Sequence, residues 1–239
     1  MSVKTYLTYD DVNIVPKFSE VLSRENVNLS TRFTKNTTLS IPIVSSPMDT
    51  VTEYKMASEM LDRGGVGVIH RFQGIEKQAE QMKRVWRQWD SWYNIGGDED
   101  RTDHTRVFDE WYKGVRHWNS PPTKSDYEDL HELLWFADEA KKDEDYWAKR
   151  PLCAAIGTTG DYLERAQELV KNGCNVLLID VAHGHHKLVG DALEKIKNDI
   201  PRVEVVAGNI ATREGAEFLL QSGADGIRVG IGNGSLCET

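Results

Sequence analysis

The chain has 239 residues, a formal net charge of -9 at pH 7 and a pI near 5.3. This length can bury one substantial core, and the acidity argues against nonspecific binding to nucleic acid or to an anionic membrane, because both surfaces would repel the chain. No run approaches the roughly 20 apolar residues that cross a bilayer, residues 1–10 lack a signal-peptide core, and three cysteines are too few for a disulfide framework. We therefore expect a cytoplasmic protein with no nucleic-acid or membrane partner.

An arm comes first in the chain, followed by strands that alternate with helices. Residues 7–29 mix short apolar pieces with polar residues and a proline, which is typical of an arm packed on a larger body. After it, apolar runs of strand length alternate with helical patterns. Six strands are predicted, at residues 41–44, 66–69, 152–156, 176–181, 203–207 and 226–229. The helices that follow the first five are predicted at residues 56–61, 75–86, 162–171, 186–196 and 213–221.

Strands that are apolar throughout and separated by amphipathic helices indicate a parallel sheet with both faces covered. The predicted fold class is therefore α/β, as a (β/α)8 TIM barrel. Such a barrel closes with eight strands, and the sequence contains about six. An open barrel would expose a parallel edge, so we expect a complementary C-terminal segment, either downstream or on another chain.

Residues 86–150 interrupt the alternation between the second predicted helix and the third predicted strand. They contain all seven tryptophans, and residues 90–150 carry 16 acidic and 9 basic residues. We interpret this segment as a helical insert, and its tryptophans as a small core of large side chains, with a protein-binding or base-stacking face as the alternative. The predicted domains are thus 1–85 (arm and first part of the barrel), 86–150 (acidic insert) and 151–239 (continuation of the barrel).

The most informative stretch follows the sixth predicted strand. Gly230, Gly232 and Gly234 stand at alternate positions, which allows backbone amides and carbonyls to approach a ligand closely. They follow the C-terminal end of a barrel strand, where barrel enzymes place their chemistry. A cysteine on such a loop, Cys237, is not expected to belong to the core.

The pattern Gly-x-Gly-x-Gly-Ser-x-Cys-x-Thr from Gly230 to Thr239 resembles the catalytic loop of IMP dehydrogenases and GMP reductases. The resemblance also covers further segments, in the family's order and across nearly all of the chain outside the insert. These are Leu-Thr-Tyr-Asp-Asp-Val (7–12), the stretch Ile-Pro-Ile-Val-Ser-Ser-Pro-Met-Asp-Thr-Val-Thr-Glu (41–53), Gly-Gly-Val-Gly-Val-Ile-His (64–70), Asp-Val-Ala-His-Gly-His (180–185) and Ala-Gly-Asn-Ile-Ala-Thr (207–212).

The resemblance implies that a cysteine thiolate attacks C2 of the purine ring of a nucleoside monophosphate, and that a hydride passes between C2 and a nicotinamide cofactor. It implies that Cys237 is the nucleophile, a role that suits thiolate near neutral pH. Thr239 matches the threonine of the leaving-group or water chemistry. The residues that match substrate contacts are Ser46, Met48, Asn209, Arg228 and Ser235.

The resemblance also implies the cofactor and ion sites. Asp180 matches the carboxylate that holds a ribose of the cofactor, and His70 lies near the expected cofactor side. The cofactor is NAD, or NADP in the alternative reading. The backbone carbonyls of Gly232, Gly234 and Cys237 match a site for K⁺ or a similar monovalent cation.

Several of these residues could instead serve the fold alone. Ser46 is of a type that caps the helix that follows, Asp180 could pair with a neighbouring barrel residue, and Arg228 could be a structural ion-pair partner. The histidines at 183, 185 and 186 fit a solvated loop better than a metal site, because no acidic or cysteine ligand has matching spacing. Cys153 and Cys174 are expected to be buried small hydrophobes.

Three functions remain open. The first is an NAD-dependent IMP dehydrogenase that makes XMP, the second an NADPH-dependent GMP reductase, and the third an inactive half-barrel or binding subunit. IMP dehydrogenases usually carry CBS modules of about 120 residues where the insert lies. The insert is about half that length and acidic, so we do not expect it to sense nucleotides. The resemblance further suggests a homo-oligomer, either a tetramer or an octamer.

Overall fold

The computed structural model describes residues 11–94 and 150–231, and the side chains of residues 87–94 are left aside. The chain divides into two compact units, one formed by Met1–Val85 with Pro151–Thr239 and the other by Trp86–Arg150. The fold below is that of the first unit. We predicted a helical insert with a small core of tryptophans at residues 86–150. These residues lie almost entirely outside the described ones, so this stays a prediction.

The N-terminal arm is exposed throughout its described part, from residue 11 to residue 30. Ile14 and Phe18 are 97% and 92% exposed, and the described part of the arm contains a short 3-10 turn, Arg24–Asn26. The prediction that this arm packs on the body is therefore wrong for these residues. The segment has few internal hydrogen bonds, and its exposed backbone amides can form hydrogen bonds with water instead.

A two-stranded antiparallel hairpin, β1 (Thr31–Arg32) and β2 (Thr38–Leu39), follows the arm. The carboxylate of Glu204 accepts hydrogen bonds from the Thr34 and Thr37 hydroxyls, each at 2.6 Å, and from the backbone N–H of Asn36 at 2.9 Å. A carboxylate accepting several hydrogen bonds is a strong tie. It holds the hairpin against the strand that contains Glu204.

Six parallel strands lie side by side in chain order. They are β3 (Val44–Ser45), β4 (Val66–Ile69), β5 (Cys153–Ile156), β6 (Val176–Asp180), β7 (Glu204–Ile210) and β8 (Gly226–Val229). Helices connect them: α1 (Tyr54–Asp62), α2 (Ile75–Asn94), α3 (Tyr162–Lys171), α4 (Lys187–Asp199) and α5 (Arg213–Gln221). Parallel strands in chain order with intervening helices are the arrangement of a (β/α)8 barrel. The α/β class and a partial barrel are thus confirmed.

Alternate residues of the strands build the core. Val66 and Val68 of β4 belong to one buried cluster with Cys153, Ala155, Val176, Leu178 and Val206 from the next strands and Leu39 from the hairpin. Gly67, between the two valines, faces α1, and a Cβ there would lie 2.5 Å from the Cα of Ala57. Because successive side chains of a strand point to opposite faces, one face lines the barrel interior and the other meets the helices.

Several of the predicted boundaries are wrong, and four elements illustrate this. The first strand is Val44–Ser45 rather than 41–44, because Pro42 has no N–H to donate and the N–H of Ile43 bonds to Ile41 within a local turn. The fifth predicted strand, β7, extends to Ile210, and β6 ends at Asp180, one residue earlier than predicted. The second helix continues to Asn94 rather than ending at residue 86.

Among the described helices, none is both long enough and apolar enough to cross a membrane.

Candidate functional site

The C-terminal ends of the six parallel strands meet at one rim of the sheet, as in every parallel barrel. This rim brings together most of the residues singled out in the sequence that the structure describes. They are Ser46 and Met48 after β3, His70 after β4, Asp180 at the end of β6, Asn209 within β7 and Arg228 within β8.

The turn after β3 is fixed from inside by Thr52, which is fully buried. Its hydroxyl donates to the carbonyl of Ser46 at 2.6 Å and lies 2.9 Å from the Ser45 hydroxyl. The N–H of Met48 also donates to the Ser46 carbonyl, at 2.8 Å. The N-cap of α1 is Glu53, so the alternative that Ser46 caps this helix is wrong.

His70 sits behind the rim and is 3% exposed. Its Nδ1 accepts the N–H of Phe72 at 3.2 Å, so the neutral ring carries its hydrogen on Nε2. That Nε2 is buried, has no hydrogen-bond partner in the described part of the chain, and lies 3.7 Å from a carboxylate oxygen of Glu53. The contact of His70 with a cofactor stays a prediction.

A side chain from α2 connects this region to α1. Buried Gln81 accepts the N–H of Tyr54 at 2.9 Å through its Oε1, so it caps the N-terminus of α1. Its Nε2 lies 2.7 Å from the carbonyl oxygen of the Gln73 side chain and 3.3 Å from Glu53. The segments after β3 and β4 are therefore held by one shared set of hydrogen bonds.

Asp180 and Arg228 form an ion pair that crosses the strand between them. Asp180 is level with Gly208 on β7, and Gly208 is level with Arg228 on β8. The Arg228 Nη1 reaches the Asp180 Oδ1 at 2.6 Å, with the two side chains 36% and 20% exposed. A Cβ at Gly208 would lie 2.7 Å from the Cβ of Arg228, so glycine is what lets the arginine cross. The pairing expected under the structural alternative is therefore present, and the ligand contacts of both residues stay predictions.

Asn209 presents an acceptor without a donor. Its backbone is fixed on both sides, because its N–H donates to Val181 at 2.8 Å and its carbonyl accepts the N–H of Gly184 at 2.7 Å. The side-chain Oδ1 is buried and has no hydrogen-bond partner within the described ranges. Buried polar atoms in native proteins are nearly always paired, so this oxygen is a candidate acceptor, and the contact of Asn209 with a ligand stays a prediction.

The three histidines near β6 are exposed. His186 caps α4, its Nδ1 accepting the N–H of Leu188 at 3.1 Å, and His185 packs against the ring of Phe218. In residues 11–94 and 150–231, no group of three or more His, Cys, Asp or Glu side chains is placed to hold a metal ion.

Cys153 and Cys174 are buried free thiols, which confirms their prediction as small core residues. Burial, and then the nearby Cys174, raise the pKa of Cys153 well above its ordinary value. Burial raises the pKa of Cys174 to about 12. Thiols held in this protonated state are poor nucleophiles, so neither competes with Cys237 as the reactive cysteine.

The predicted catalytic loop itself begins where the described residues end. Gly230, which follows β8, has a φ of 128°, a value that favours glycine. Gly232, Gly234, Ser235, Cys237 and Thr239 lie outside the described residues, so their predicted roles stay predictions.

Arg71 is a rim residue that the sequence reasoning missed. It follows His70 directly, and its buried Nε has no hydrogen-bond partner within the described ranges. The signal was available in the sequence: a cation placed two residues after an apolar strand of a barrel stands where ligands bind.

Comparison with known proteins gives consistent matches. A family model described as "IMP dehydrogenase / GMP reductase domain" matches residues 6–239. Inosine-5'-monophosphate dehydrogenase of Nitrosopumilus maritimus is 33% identical over 100% of the chain and 64% of the relative. The proteins of the same name from Borreliella burgdorferi and Bacillus subtilis are 39% and 32% identical over 99% of the chain, and the matches cover 56% and 62% of their lengths. The chain thus spans less than two thirds of these relatives.

Proposed function

This chain belongs to the IMP dehydrogenase and GMP reductase family, and from that premise we propose that it carries the catalytic cysteine of an enzyme that oxidises IMP to XMP with NAD. The relatives named above are all called inosine-5'-monophosphate dehydrogenase. Their names support IMP oxidation in preference to GMP reduction.

The observation that carries this proposal is the group of side chains at the ends of β6, β7 and β8. The Oδ1 of Asp180 is engaged by Arg228, and its Oδ2 has no hydrogen bond to any described residue. A half-buried carboxylate with one free oxygen fits a ribose hydroxyl of NAD. The unpaired Oδ1 of Asn209 suits the N–H of a purine ring. β8 is the strand that leads into the Cys237 loop. Asn209 lies on β7, next to it, and Asp180 on β6 is ion-paired to Arg228 of β8.

In the proposed reaction, the thiolate of Cys237 forms a bond to C2 of IMP as the C2–N3 π bond opens and its electron pair moves to N3; that π bond forms again when the hydride leaves. The hydrogen on C2 then departs with its electron pair, and NAD, when bound, supplies the hydride acceptor. Water next adds at C2 and the C2–sulfur bond breaks, which yields XMP and returns the cysteine. Of the two protons of the water, one remains with the product or the thiol and the other goes to solvent. Thr239 assists this water step in the proposal, and Ser235 holds the substrate phosphate together with loop amides.

The backbone carbonyls of Gly232, Gly234 and Cys237 would hold the monovalent cation. Its proposed part is to keep the loop in a conformation that presents the thiolate to the purine. Exchanging K⁺ for Na⁺ or Li⁺ at constant ionic strength should then lower the turnover number. Equal turnover in all three salts would contradict this part of the proposal.

Turnover with two substrate mixtures tests the function. We expect absorbance of the reduced cofactor to rise with IMP plus NAD and to stay constant with GMP plus NADPH. Reaction of the second mixture alone would favour a GMP reductase. If neither mixture reacts, with or without a complementary C-terminal segment, the chain is a binding subunit. Cys237→Ala should abolish turnover, while Cys174→Ala, which changes a buried thiol, should retain it.

We further propose that the active form is a homo-oligomer, a tetramer or octamer, completed by a C-terminal segment, and that it works in the cytoplasm. Native mass spectrometry of the purified protein would measure its copy number and reveal any polypeptide that accompanies it. A single active 27.1 kDa chain would contradict both the oligomer and the complementary segment.

A further inference from the structure

Arg71 is a half-buried cation that forms no ion pair with any carboxylate among the described residues. Its Nε is buried without a hydrogen-bond partner in the described ranges, and no described carboxylate forms an ion pair with it. The guanidinium carbon lies 5.3 Å from the centroid of the Phe72 ring, which is a cation–π contact. A guanidinium group presents several N–H donors in one plane.

The guanidinium stands at the rim between β4 and β5. A Cβ built on Gly157, which follows β5, would lie 3.6 Å from the Arg71 Nη1, so the side chain extends across to the neighbouring strand end. Asp180 lies at the end of β6, one strand further along the sheet. With strands about 4.8 Å apart, Arg71 and Asp180 are within the reach of one extended ligand.

The charge of Arg71 acts on the carboxylate of Asp161. That carboxylate is already bound by Arg165, whose Nη2 lies 2.7 Å away. The hydrogen bond from Arg165 holds the pKa of Asp161 below its usual value, and the charge of Arg71 adds a smaller effect. Asp161 is therefore engaged by Arg165, and it forms no ion pair with Arg71. Taking a cation out of water without a counter-charge costs free energy, which an anionic ligand would recover.

We propose that Arg71 is the anion-binding residue of a nucleotide subsite at the ends of β4 and β5, and that its ligand is a phosphate group. A planar guanidinium binds two phosphate oxygens at once. This phosphate belongs either to the pyrophosphate of the dinucleotide or to the monophosphate of the substrate. That identification of the ligand rests on the proposed function. The anion site itself stands on the contacts of Arg71.

Calorimetric titration of the purified chain tests this subsite with four probes. ADP-ribose carries the pyrophosphate and IMP the monophosphate, while adenosine and inosine lack phosphate. The variants are Arg71→Gln, Arg71→Lys and a matched control, Arg63→Gln. Arg63 precedes β4, at its opposite end, and forms an exposed ion pair with Glu59.

We expect Arg71→Gln to weaken the binding of one of the two phosphate probes about tenfold, as for the loss of a charge-assisted hydrogen bond, and to leave both nucleosides unchanged. Arg71→Lys should lose less, because it keeps the charge but not the planar fork, and Arg63→Gln should bind like the unmodified chain. A loss confined to ADP-ribose identifies the pyrophosphate, and a loss confined to IMP identifies the monophosphate.

The proposal is overturned if Arg71→Gln binds both phosphate probes as tightly as the unmodified chain does. It is also overturned if the substitution weakens the binding of the nucleosides as much as that of the phosphate probes. The third contrary outcome is an unmodified chain that binds neither phosphate probe more tightly than the matching nucleoside. Binding is measured without turnover. If Arg71→Gln weakens phosphate binding but the protein oxidises no IMP, the proposed function is refuted and the subsite is supported. If binding is unchanged and the protein turns over IMP fully, the subsite is refuted and the proposed function is supported.

Discussion

Under the proposed function, Asp180 serves the fold and a ligand at once. Its ion pair with Arg228 is partly exposed, and such pairs contribute little to stability because water and salt screen them. Asp180→Asn should therefore lower the free energy of unfolding by less than about 1 kcal/mol, yet weaken NAD binding about tenfold or more through the lost carboxylate. Urea unfolding and NAD titration measure the two effects. A change in stability with unchanged NAD binding would contradict the cofactor role. The control is Glu168→Gln, which removes the carboxylate of an exposed ion pair.

Arg165 is the opposite case, a buried cation in a satisfied network. Its Nη1 donates to the Gln78 side chain at 2.7 Å and to the Gln73 carbonyl at 3.0 Å, and its Nη2 donates to Asp161. Arg165→Met leaves the buried oxygen of Gln78 unpaired, so it should destabilise the protein by about 2–4 kcal/mol. Lys171→Met on the same helix removes an exposed pair and should cost under about 0.5 kcal/mol. Equal midpoints of urea unfolding for the two variants would refute this assignment.

The same contact makes stability depend on pH. Arg165 lowers the pKa of Asp161 in the folded state below its ordinary value of 3.8. The unfolded chain therefore binds a proton first as the pH falls. The stabilisation is complete above the unfolded pKa and is lost as the pH falls through the lower, folded pKa. Between about pH 5 and pH 2, the urea midpoint of Asp161→Asn should fall less steeply than that of the unmodified chain. Parallel curves would show that Asp161 adds nothing to the acid response.

Single residues were predictable to different extents. The burial of the Cys153 and Cys174 thiols followed from their positions within or just before apolar strands, while the pairing of Asp180 was only one of two roles that the sequence left open. The unpaired atoms of Asn209 and Arg71 did not follow from the sequence, since whether a buried atom finds a partner depends on three-dimensional neighbours. Strand patterns therefore predicted which side chains are buried. The buried atoms without a hydrogen-bond partner, on which the proposed ligand contacts depend, could be identified only from the three-dimensional structure.

At the scale of elements, the close packing of α1 on β4 depends on Gly67. A Cβ there would lie 2.5 Å from the Cα of Ala57, a backbone atom that cannot move without its helix. Gly67→Ala should therefore destabilise the protein by about 1–3 kcal/mol through overpacking. Gly74→Ala is the control, because its Cβ would meet nothing nearer than a flexible Glu76 oxygen at 3.5 Å. Thermal unfolding that does not distinguish the two variants would contradict this packing argument.

The elements were more predictable than their ends. Uniformly apolar runs such as Val66–Ile69 and Cys153–Ile156 are strands buried on both faces, and short runs of this composition are typical of parallel sheets covered by helices. The first strand was misplaced by a proline that interrupts the hydrogen-bond ladder, and β7 was extended through the polar Asn209. Both differences arise where the pairing of neighbouring strands overrides local composition.

At the scale of the molecule, the six-stranded sheet is either one cooperative unit or a set of strands that open separately. Cys153 on β5 and Cys174 before β6 report on this, because both are buried, and a raised pKa keeps each thiol protonated and unreactive. In a cooperative sheet, iodoacetamide reaches them only through global unfolding, so the labelling rate follows the population of the unfolded state.

Gly67→Ala, on β4, then provides a decisive comparison. If the sheet is cooperative, a loss of about 1–3 kcal/mol should accelerate the labelling of both cysteines by the same factor, roughly 5- to 150-fold, since each 1.4 kcal/mol is tenfold. Mass spectrometry of the digested protein measures each site separately. Acceleration at Cys153 without a change at Cys174 would show that β4 and β5 open apart from β6. In that case the rim that holds Arg71 and Asp180 would not be one rigid platform, and a ligand would have to order it on binding.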